Sequence, residues 1–480
     1  MNIRLFQKKE FRIKERSGYL MKSLMIQMIL LGSVLSMPTS CDEKDDGTNV
    51  RPNEFGEHGG AVLTIDYSSN ADTVFFSWEL INDEIDFDYY QISQDHSGNF
   101  VEVDKKENNS FLTHIPYNEL VPISISLISG GASVETINTN VEINGLDTVF
   151  ASTLVPDRGS VTGGDGTYSI ALPDGRSIFL MGDSYIGPVT NGARSMSDHM
   201  FRNTYIVYDD GGVSAMYGVN GEQSSAAVPP GVTNEHQKWY WPGHGFVKDN
   251  KLYIFQTLMY QGEAGMWGFR YETTDILQYG LPNIELEKTT RIPFEGSTDI
   301  HYGMAALNDG DYIYIYAQKD VDNGWDPVAD ALVARTTIDD LYTNWEYFDG
   351  SGWSSNPDDA VKMLGLSSVA ISSQFNVFKL NGKYVLLTQE KQFNSGEIYT
   401  FISDSPQGPW YNKQLVYEIQ EKDQPGLFTY NAMAHPQFEK DGMILISYNV
   451  NNEDFIEQHE DVSTYRPRFV WIEIANILEN

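Results

Sequence analysis

One pattern recurs five times in the last two-thirds of this chain: an apolar run, a short Asp-Gly-like turn, and a second apolar run. The copies read YSIALPDGRSIFLMGDS, GFVKDNKLYIFQTLM, MAALNDGDYIYIYAQKD, FNVFKLNGKYVLLTQEK and PQFEKDGMILISYNV, with turns at Asp174, Asp249, Asp309, Asn381 and Asp441. Two apolar runs joined by such a turn make a β-hairpin. Successive turns are about sixty to seventy-five residues apart, more than a minimal four-stranded unit needs, so the loops are long. Each copy continues into a third apolar strand: NTYIVYDD, WGFRYETT, ALVARTTI, EIYTFISD and RPRFVWIEI. No long segment of helical period competes with this reading. Repeated sheets of this kind bury their faces on one another, and radial packing also covers their edges. Residues 150–480 therefore read as a five-bladed β-propeller, and the preceding stretch STLVPDRGS is expected to add a closing strand beside the last blade.

Ahead of the repeat, residues 61–145 hold seven short alternating runs separated by turn residues, from AVLTIDY to ETINTNVEI. That pattern suits a β-sandwich. Trp78 and Tyr90 on its second and third runs resemble the core of an immunoglobulin or fibronectin type III module. The fold class expected is all-β: an N-terminal sandwich followed by the propeller. The sandwich carries no constellation suited to chemistry and reads as a spacer.

The net charge of −35 argues against nucleic-acid binding, which needs a basic footprint. Cys41 is the one cysteine, so no internal disulfide can form. Its setting, MKSLMIQMILLGSVLSMPTSC, has a basic start, an apolar middle and small residues before the cysteine. Residues 1–41 resemble a bacterial lipoprotein signal ending at Cys41, with Cys41 lipidated after cleavage. The acidic DEKDDGTN that follows resembles the surface-export signal of Bacteroidetes lipoproteins. Residues 42–60 read as a flexible tether. The expected location is the outer membrane, facing outward, held only by lipid. Other surface glycan-uptake proteins are the expected neighbours.

The repeat also works as a map. In a blade, the start of the inner strand and the end of its neighbour lie on one face of the disc. Nine residues past each turn stand Asp183, Leu258, Gln318, Glu390 and Val450, the last beside Asn449. The starts of the inner strands offer Asp165, then Trp239, Trp241 and His244, then Asp299 and His301, then Gln374, and finally Tyr430, Asn431 and His435. These side chains are expected to converge on one funnel. Carboxylates around one cavity with aromatics beside them are what glycoside cleavage needs: one acid protonates the leaving oxygen and another serves as nucleophile or base. Asp165, Asp183 and Glu390 are the catalytic candidates. Trp239, Trp241, His244, Asp299, His301, Gln318, Gln374, Asn431 and His435 are the substrate-binding candidates. Each has a plainer reading too: a strand-end Asp caps a loop, Asp165 forms an Asx turn, and the histidines bond within the core. The three histidines match no compact metal-ligand spacing, so no metal is expected.

The five units, the early acid in GGDG, and FISDSPQGPW (Phe401 to Trp410) resemble the propeller glycoside hydrolases of family 43. GGDGTYSIALPDGRSIFLMGDSYIG and the ending YRPRFVWIEI resemble propellers linked to D-arabinan cleavage. The resemblance implies a base at Asp165, an acid at Glu390, and a second aspartate for which Asp183 and Asp299 compete. The D-arabinan likeness makes Asp183 a prime catalytic candidate. It implies no required cofactor and leaves room for a structural calcium ion.

The expected function is a surface glycoside hydrolase of the arabinanase or arabinofuranosidase kind, acting on furanose-containing polysaccharide or oligosaccharide. A non-catalytic glycan-binding lipoprotein is the alternative. A polysaccharide lyase is another, with Arg202, His244, His301 and Tyr302 as its candidates. No nucleophile elbow or phosphate loop supports a protease or phosphatase.

Overall fold

The computed structural model describes residues 63–80 except 71–72, residues 86–142 except 95–99, 105–109 and 115–119, and residues 146–478 except 210–211, 266–267, 322–327, 392 and 394. Cys41, the signal and the tether lie outside the described residues.

Two antiparallel sheets form the N-terminal part. One orders β1 (Leu63–Asn70), β2 (Thr73–Leu80) and β5 (Ser110–His114). The other orders β4 (Phe100–Asp104), β3 (Tyr89–Gln94), β6 (Leu120–Ser129) and β7 (Ala132–Glu142). On β6, Ile123, Ile125 and Leu127 are buried on one face. On the other, Ser124 bonds Asn138 at 2.6 Å and Ser126 bonds Thr136 at 2.8 Å. The period of two puts the apolar set on one side.

The repeat builds five sheets. The first orders β14 (Gly212–Met216), β13 (Thr204–Asp209), β10 (Ser177–Met181) and β9 (Tyr168–Ala171). A small companion sheet orders β12 (Met200–Phe201), β11 (Ser184–Ile186) and β8 (Val161–Gly164). The second runs β15 (Lys238–Lys248), β16 (Lys251–Gln261), β17 (Phe269–Gly280) and β18 (Glu285–Arg291). The third holds β19 (Ile300–Asp309), β20 (Tyr312–Val321) and β21 (Val328–Thr336), extended by β22 (Glu346–Phe348) and β23 (Trp353–Ser354). The fourth holds β24 (Ile371–Leu380), β25 (Lys383–Glu390), β26 (Glu397–Ser403) and β27 (Tyr411–Glu418). It joins the third through the Ala329–Ile371 pair. The fifth is β28 (Leu427–Lys440), β29 (Met443–Asn452) and β30 (Pro467–Glu473).

Turn chemistry fixes the hairpins. Asp249-Asn250, Asn381-Gly382 and Asp441-Gly442 all have positive φ at both positions. That is the type I′ turn, whose twist matches its strands and which favours Asn, Asp and Gly.

The sheets close into a ring. The inner strands neighbour one another in the order β9, β15, β19, β24, β28 and back to β9. Five apolar clusters fill the gaps between successive sheets. Tyr205 and Ile254 lie between the first and second, and Ile276 and Ile315 between the second and third. Tyr316 and Phe375 follow, then Leu387 and Ile446. Phe179 with Leu445 and Phe469 closes the last sheet on the first. Each sheet is thus covered on both faces, which is why β10 is buried along its whole length and does not alternate.

Closure differs from expectation. STLVPDRGS forms no closing strand; its first three residues end a helix, α1 (Thr148–Leu154), and the rest is loop until β8. One antiparallel pair, Leu146 with Val470, borders the last sheet instead. Asp147 then caps α1 through the Phe150 amide at 2.8 Å and accepts from Trp471 Nε1 at 2.8 Å. An N-cap aspartate satisfies otherwise orphaned helix amides, so the chain turns into a helix where a strand was expected.

Candidate active site

Four inner strands carry a β-bulge at the same level of the ring. The register shifts between Pro242 and Gly245, Tyr302 and Ala305, Ile371 and Phe375, and Tyr430 and Met433. Extra residues on one strand bend it and re-aim its side chains. Pro242, Met304, Gln374 and Asn431, all at or beside these bulges, line one cavity of about 360 Å³. Gly303 and Asn431 take positive φ there, at +101° and +56°.

The first sheet is broken outright at this level. Its inner hairpin stops at Asp165–Thr167 on one strand and at Gly182–Asp183 on the other. The breaks face each other: the Gly182 amide donates to the Asp165 carbonyl at 2.7 Å, and the Asp165 amide to the Asp183 carbonyl at 3.3 Å. Glycine is required on both sides. A Cβ on Gly182 would lie 2.3 Å from Asp165 Oδ1, and one on Gly166, where φ is +92°, 2.9 Å from the Gly182 nitrogen. The strand-end acid in MGDS thus stands where the hairpin switches sheets, opposite the acid of GGDG.

Both acids line the cavity, and among the described residues no other carboxylate does. Asp165 Oδ2 accepts from Tyr430 at 2.7 Å and lies 3.2 Å from the Tyr465 hydroxyl. Tyr430 in turn accepts from Asn451 at 3.1 Å, and Asn451 from Gln458 at 2.6 Å, so the Tyr430 proton points to Asp165. With Oδ2 already accepting, the acid proton of Asp165 belongs on Oδ1. The Tyr465 hydroxyl has one proton to share between Asp165 Oδ2 and the Asp183 carbonyl, which lies at 2.8 Å, and so ties the two acid segments together.

Asp183 has different company. Arg202 Nη1 lies 3.2 Å from Oδ2 and 3.4 Å from Oδ1, and Trp241 Nε1 donates to Oδ1 at 2.9 Å. The Arg202 guanidinium lies over the Trp239 ring at 4.3 Å. Burial raises the pKa of both acids. For Asp183 the Arg202 charge and the Trp241 bond oppose the rise. For Asp165 the Asp183 charge adds to burial and pushes it up to about 7, against the two tyrosine bonds. The environment thus separates the pair: Asp183 ionises first beside its cation, and Asp165 keeps its proton close to neutrality.

Tyr465→Phe removes a donor that stabilises the Asp165 carboxylate. The Asp165 pKa should therefore rise, and the alkaline limb of any activity that needs its proton should move to higher pH. A pH–rate profile checks this; a downward shift would contradict it.

Two aromatic walls flank the acids. On the Asp183 side, Trp241 packs edge-on to Trp239 at 5.6 Å and to Phe269 at 4.9 Å. On the Asp165 side, Phe428 stacks on Tyr430 at 5.5 Å and Phe393 meets both rings. Between the walls, Gln318 Nε2 and His301 Nδ1 are 2.5 Å apart, and the His301 ring stacks on Tyr271 at 3.8 Å. Three buried polar atoms of cavity residues have no protein partner: Trp239 Nε1, Gln318 Oε1 and Asn431 Oδ1.

The structure gathers Asp165, Asp183, Trp239, Trp241, His301, Gln318, Gln374 and Asn431 around this cavity. It does not bring the other four candidates there. Glu390 pairs with Ile371 beyond the bulge of β24 and is not among the residues that line the cavity, whereas Ser373 and Gln374 on that bulge are. The acid role expected of Glu390 therefore has no basis in the geometry. Asp299 is exposed on the approach to β19 and bonds Ser297. His244 bridges two inner strands, contacting the Ser169 carbonyl at 3.2 Å and the Ala306 amide at 3.1 Å. His435 sits between Ser169 Oγ at 2.7 Å and Ser447 Oγ at 2.9 Å, with burial driving its pKa down to about 3. These two histidines are neutral pins between strands, not substrate ligands. Tyr302, a lyase candidate, is fully buried and also outside the cavity.

Reading the repeat missed Tyr465, Phe393, Phe428 and Asn451. Tyr465 follows the fifth hairpin, in YRPRF, 300 residues from the acid it contacts. Only its place just ahead of the last strand singled it out. Among the described residues no group of three or more His, Cys, Asp or Glu could hold a metal ion.

A family model described as "Domain of unknown function (DUF5005)" matches residues 149–474. The fold is similar to the crystal structure of a Bacteroides ovatus ATCC 8483 protein provisionally named a hydrolase. The TM-score is 0.56 at 20% identity, over 68% of this chain and 89% of that one. Weaker likenesses reach a GH43_1 enzyme from Xanthomonas citri complexed with xylose (TM-score 0.37, 15% identity, 67% of this chain and 92% of that one). They also reach a GH43 endo-arabinanase from Bacillus licheniformis (TM-score 0.34, 9% identity, 65% and 96%). No curated protein matches the chain.

Proposed function

Because the chain belongs to the DUF5005 family across its ring of sheets, and that ring holds one cavity with two unlike acids, we propose that it is a glycoside hydrolase. The observation that carries the reading is the division of labour between the acids. Asp165, held near 7, is the proton donor to the leaving oxygen. Asp183, paired with Arg202, supplies the carboxylate that meets the positive charge developing at the anomeric carbon. The aromatic walls give sugar faces a surface to stack on.

The finer reading carries over from the sequence. The substrate is furanose-containing, arabinan-type polysaccharide. The chain is anchored through lipidated Cys41 at the outer membrane, facing outward, with the N-terminal sheets as an immunoglobulin- or fibronectin III-like spacer. Two features weigh against a lyase. Arg202 is the one Lys or Arg among the described residues of the cavity and is already engaged by Asp183. A lyase needs a free cation to neutralise a uronate.

The test is sugar release from arabinans, xylans and arabinogalactan by the full chain. Cleavage of one polymer, lost in the Asp183→Asn protein, is the expected outcome. A polymer that binds but is never cut would make the protein a capture module and overturn the hydrolase reading.

A further inference from the structure

We propose that the face of the cavity built by Phe393, Phe428 and Phe455 seats the leaving group, and that it selects leaving groups with a flat apolar face. The assignment rests on the hydrolase reading and gives the bound substrate a direction.

Ring order supplies that direction. Both acids sit on the first repeat unit, whose inner strand β9 has β15 on one side and β28 on the other. Asp183 leans towards β15, where Trp241 donates to it at 2.9 Å. Asp165 leans towards β28, where Tyr430 donates to it at 2.7 Å. The two carboxyl groups of a glycosidase flank the bond they break: the acid faces the leaving oxygen and the carboxylate faces the anomeric carbon. Asp165 holds the proton. The sugar under attack therefore lies towards β15, and the group that departs lies towards β28.

The two sides also differ in chemistry. Towards β15 and β19 the lining mixes rings with polar groups: Thr257, Gln261 and His301 stand with Trp241 and Phe269. Groups that donate and accept can tell one hydroxyl pattern from another. Towards β28 the three phenylalanines dominate. Phe428 stacks on Tyr430 at 5.5 Å, and Phe393 lies 5.7 Å from Phe428 and 5.8 Å from Tyr430. The phenylalanine rings carry no donor or acceptor. The Tyr430 hydroxyl is already taken, donating to Asp165 and accepting from Asn451. All three phenylalanines are only partly buried, so ring surface remains for a ligand to cover. Such a surface gains from any flat apolar face laid on it and does not read hydroxyls. The sugar under attack is thus chosen by its hydroxyls and the departing group by its face. An aromatic alcohol should serve as a leaving group.

The test compares methyl and benzyl glycosides as substrates of the full chain. Both anomers of L-arabinofuranose, D-arabinofuranose and D-xylose are used, with the sugar of whichever polymer is cut. The two alkoxides are nearly equal in basicity, so both need the Asp165 proton alike and only the benzyl ring differs. The ratio of kcat/KM, benzyl over methyl, therefore reports the wall. The parent should favour benzyl by about tenfold, the worth of covering one aromatic ring. Phe428→Ala and Phe393→Ala should bring the ratio close to one. Phe269→Ala, on the other side, should lower both rates and keep the ratio. A variant that merely disturbs the fold or the acid slows both glycosides together, so it cannot imitate a change in ratio. A parent ratio near one, or a ratio that survives in both Phe428→Ala and Phe393→Ala, overturns the proposal and leaves the hydrolase reading standing. So does a ratio lost in Phe269→Ala and kept in the other two, which would seat the leaving group beside Trp241. Cleavage of no glycoside and no polymer by the parent overturns the hydrolase reading, and this assignment with it.

Discussion

Asp183→Asn should lower kcat/KM by about a thousandfold or more, the upper range for removing a catalytic carboxylate. The substitution is nearly isosteric. Its amide oxygen still accepts from Trp241 Nε1, and the hydrogen bond from Tyr465 goes to the main-chain carbonyl, which is unchanged. What disappears is the negative charge beside Arg202, so the loss should appear in kcat with the protein still folded. A second readout follows from the electrostatics. The Asp183 charge helps hold Asp165 up at about 7, so its removal should bring the Asp165 pKa down. The alkaline limb of the residual activity should then move to lower pH. A variant with activity within tenfold of the parent would remove Asp183 from the chemistry.

Asp165→Asn should be nearly inactive yet more stable above neutral pH. Activity that needs the Asp165 proton falls as pH rises through about 7, so the parent should show an alkaline limb there. Stability runs the same way. The folded-state pKa lies near 7 against 3.8 for a free aspartate, so the native state binds the extra proton between those values. Folding stability therefore falls as pH rises from about 4 to about 7, because burying the carboxylate then costs desolvation. Asparagine carries no such cost and keeps an oxygen for Tyr430 and Tyr465. At pH 8 the variant should exceed the parent by about 4 kcal/mol, with little difference at pH 4. Thermal or urea unfolding at both pH values checks this. Equal stability at pH 8 would mean that Asp165 is ionised and well solvated in the folded protein. The expected trade, stability gained as activity is lost, is what a strained active site gives.

Sequence legibility followed the range of the interactions. The hairpins were readable because a type I′ turn needs Asn, Asp or Gly at fixed places and strands need apolar runs. Those are local demands, so all five turns and all five third strands stand where the pattern put them. The repeat also located Asp165, Asp183 and Gln318, because the level of a residue along a hairpin follows from counting back to its turn. The count failed at Glu390. Glu390 pairs with Ile371 beyond the bulge of β24 just as Gln318 pairs with His301 beyond that of β19, yet only Gln318 lines the cavity, so hairpin level alone does not decide it. Gly303 in HYGM is the nearest thing to a local sign of such a bulge, in the neighbouring sheet.

What the sequence determined by itself was therefore the all-β character, the hairpins with their turns and the two acids at the broken hairpin. The glycines that let the two acid segments approach are written beside them, in GGDG and MGDS. What only the tertiary structure decided was the company those acids keep. Tyr430 and Tyr465 come from the fifth sheet and the segment before its last strand, and Trp241 from the second. Ring closure brings them together across hundreds of residues. Side chains that far apart meet only once every sheet has packed on the next, and it is that meeting, not any local motif, that holds one aspartate protonated and its neighbour charged.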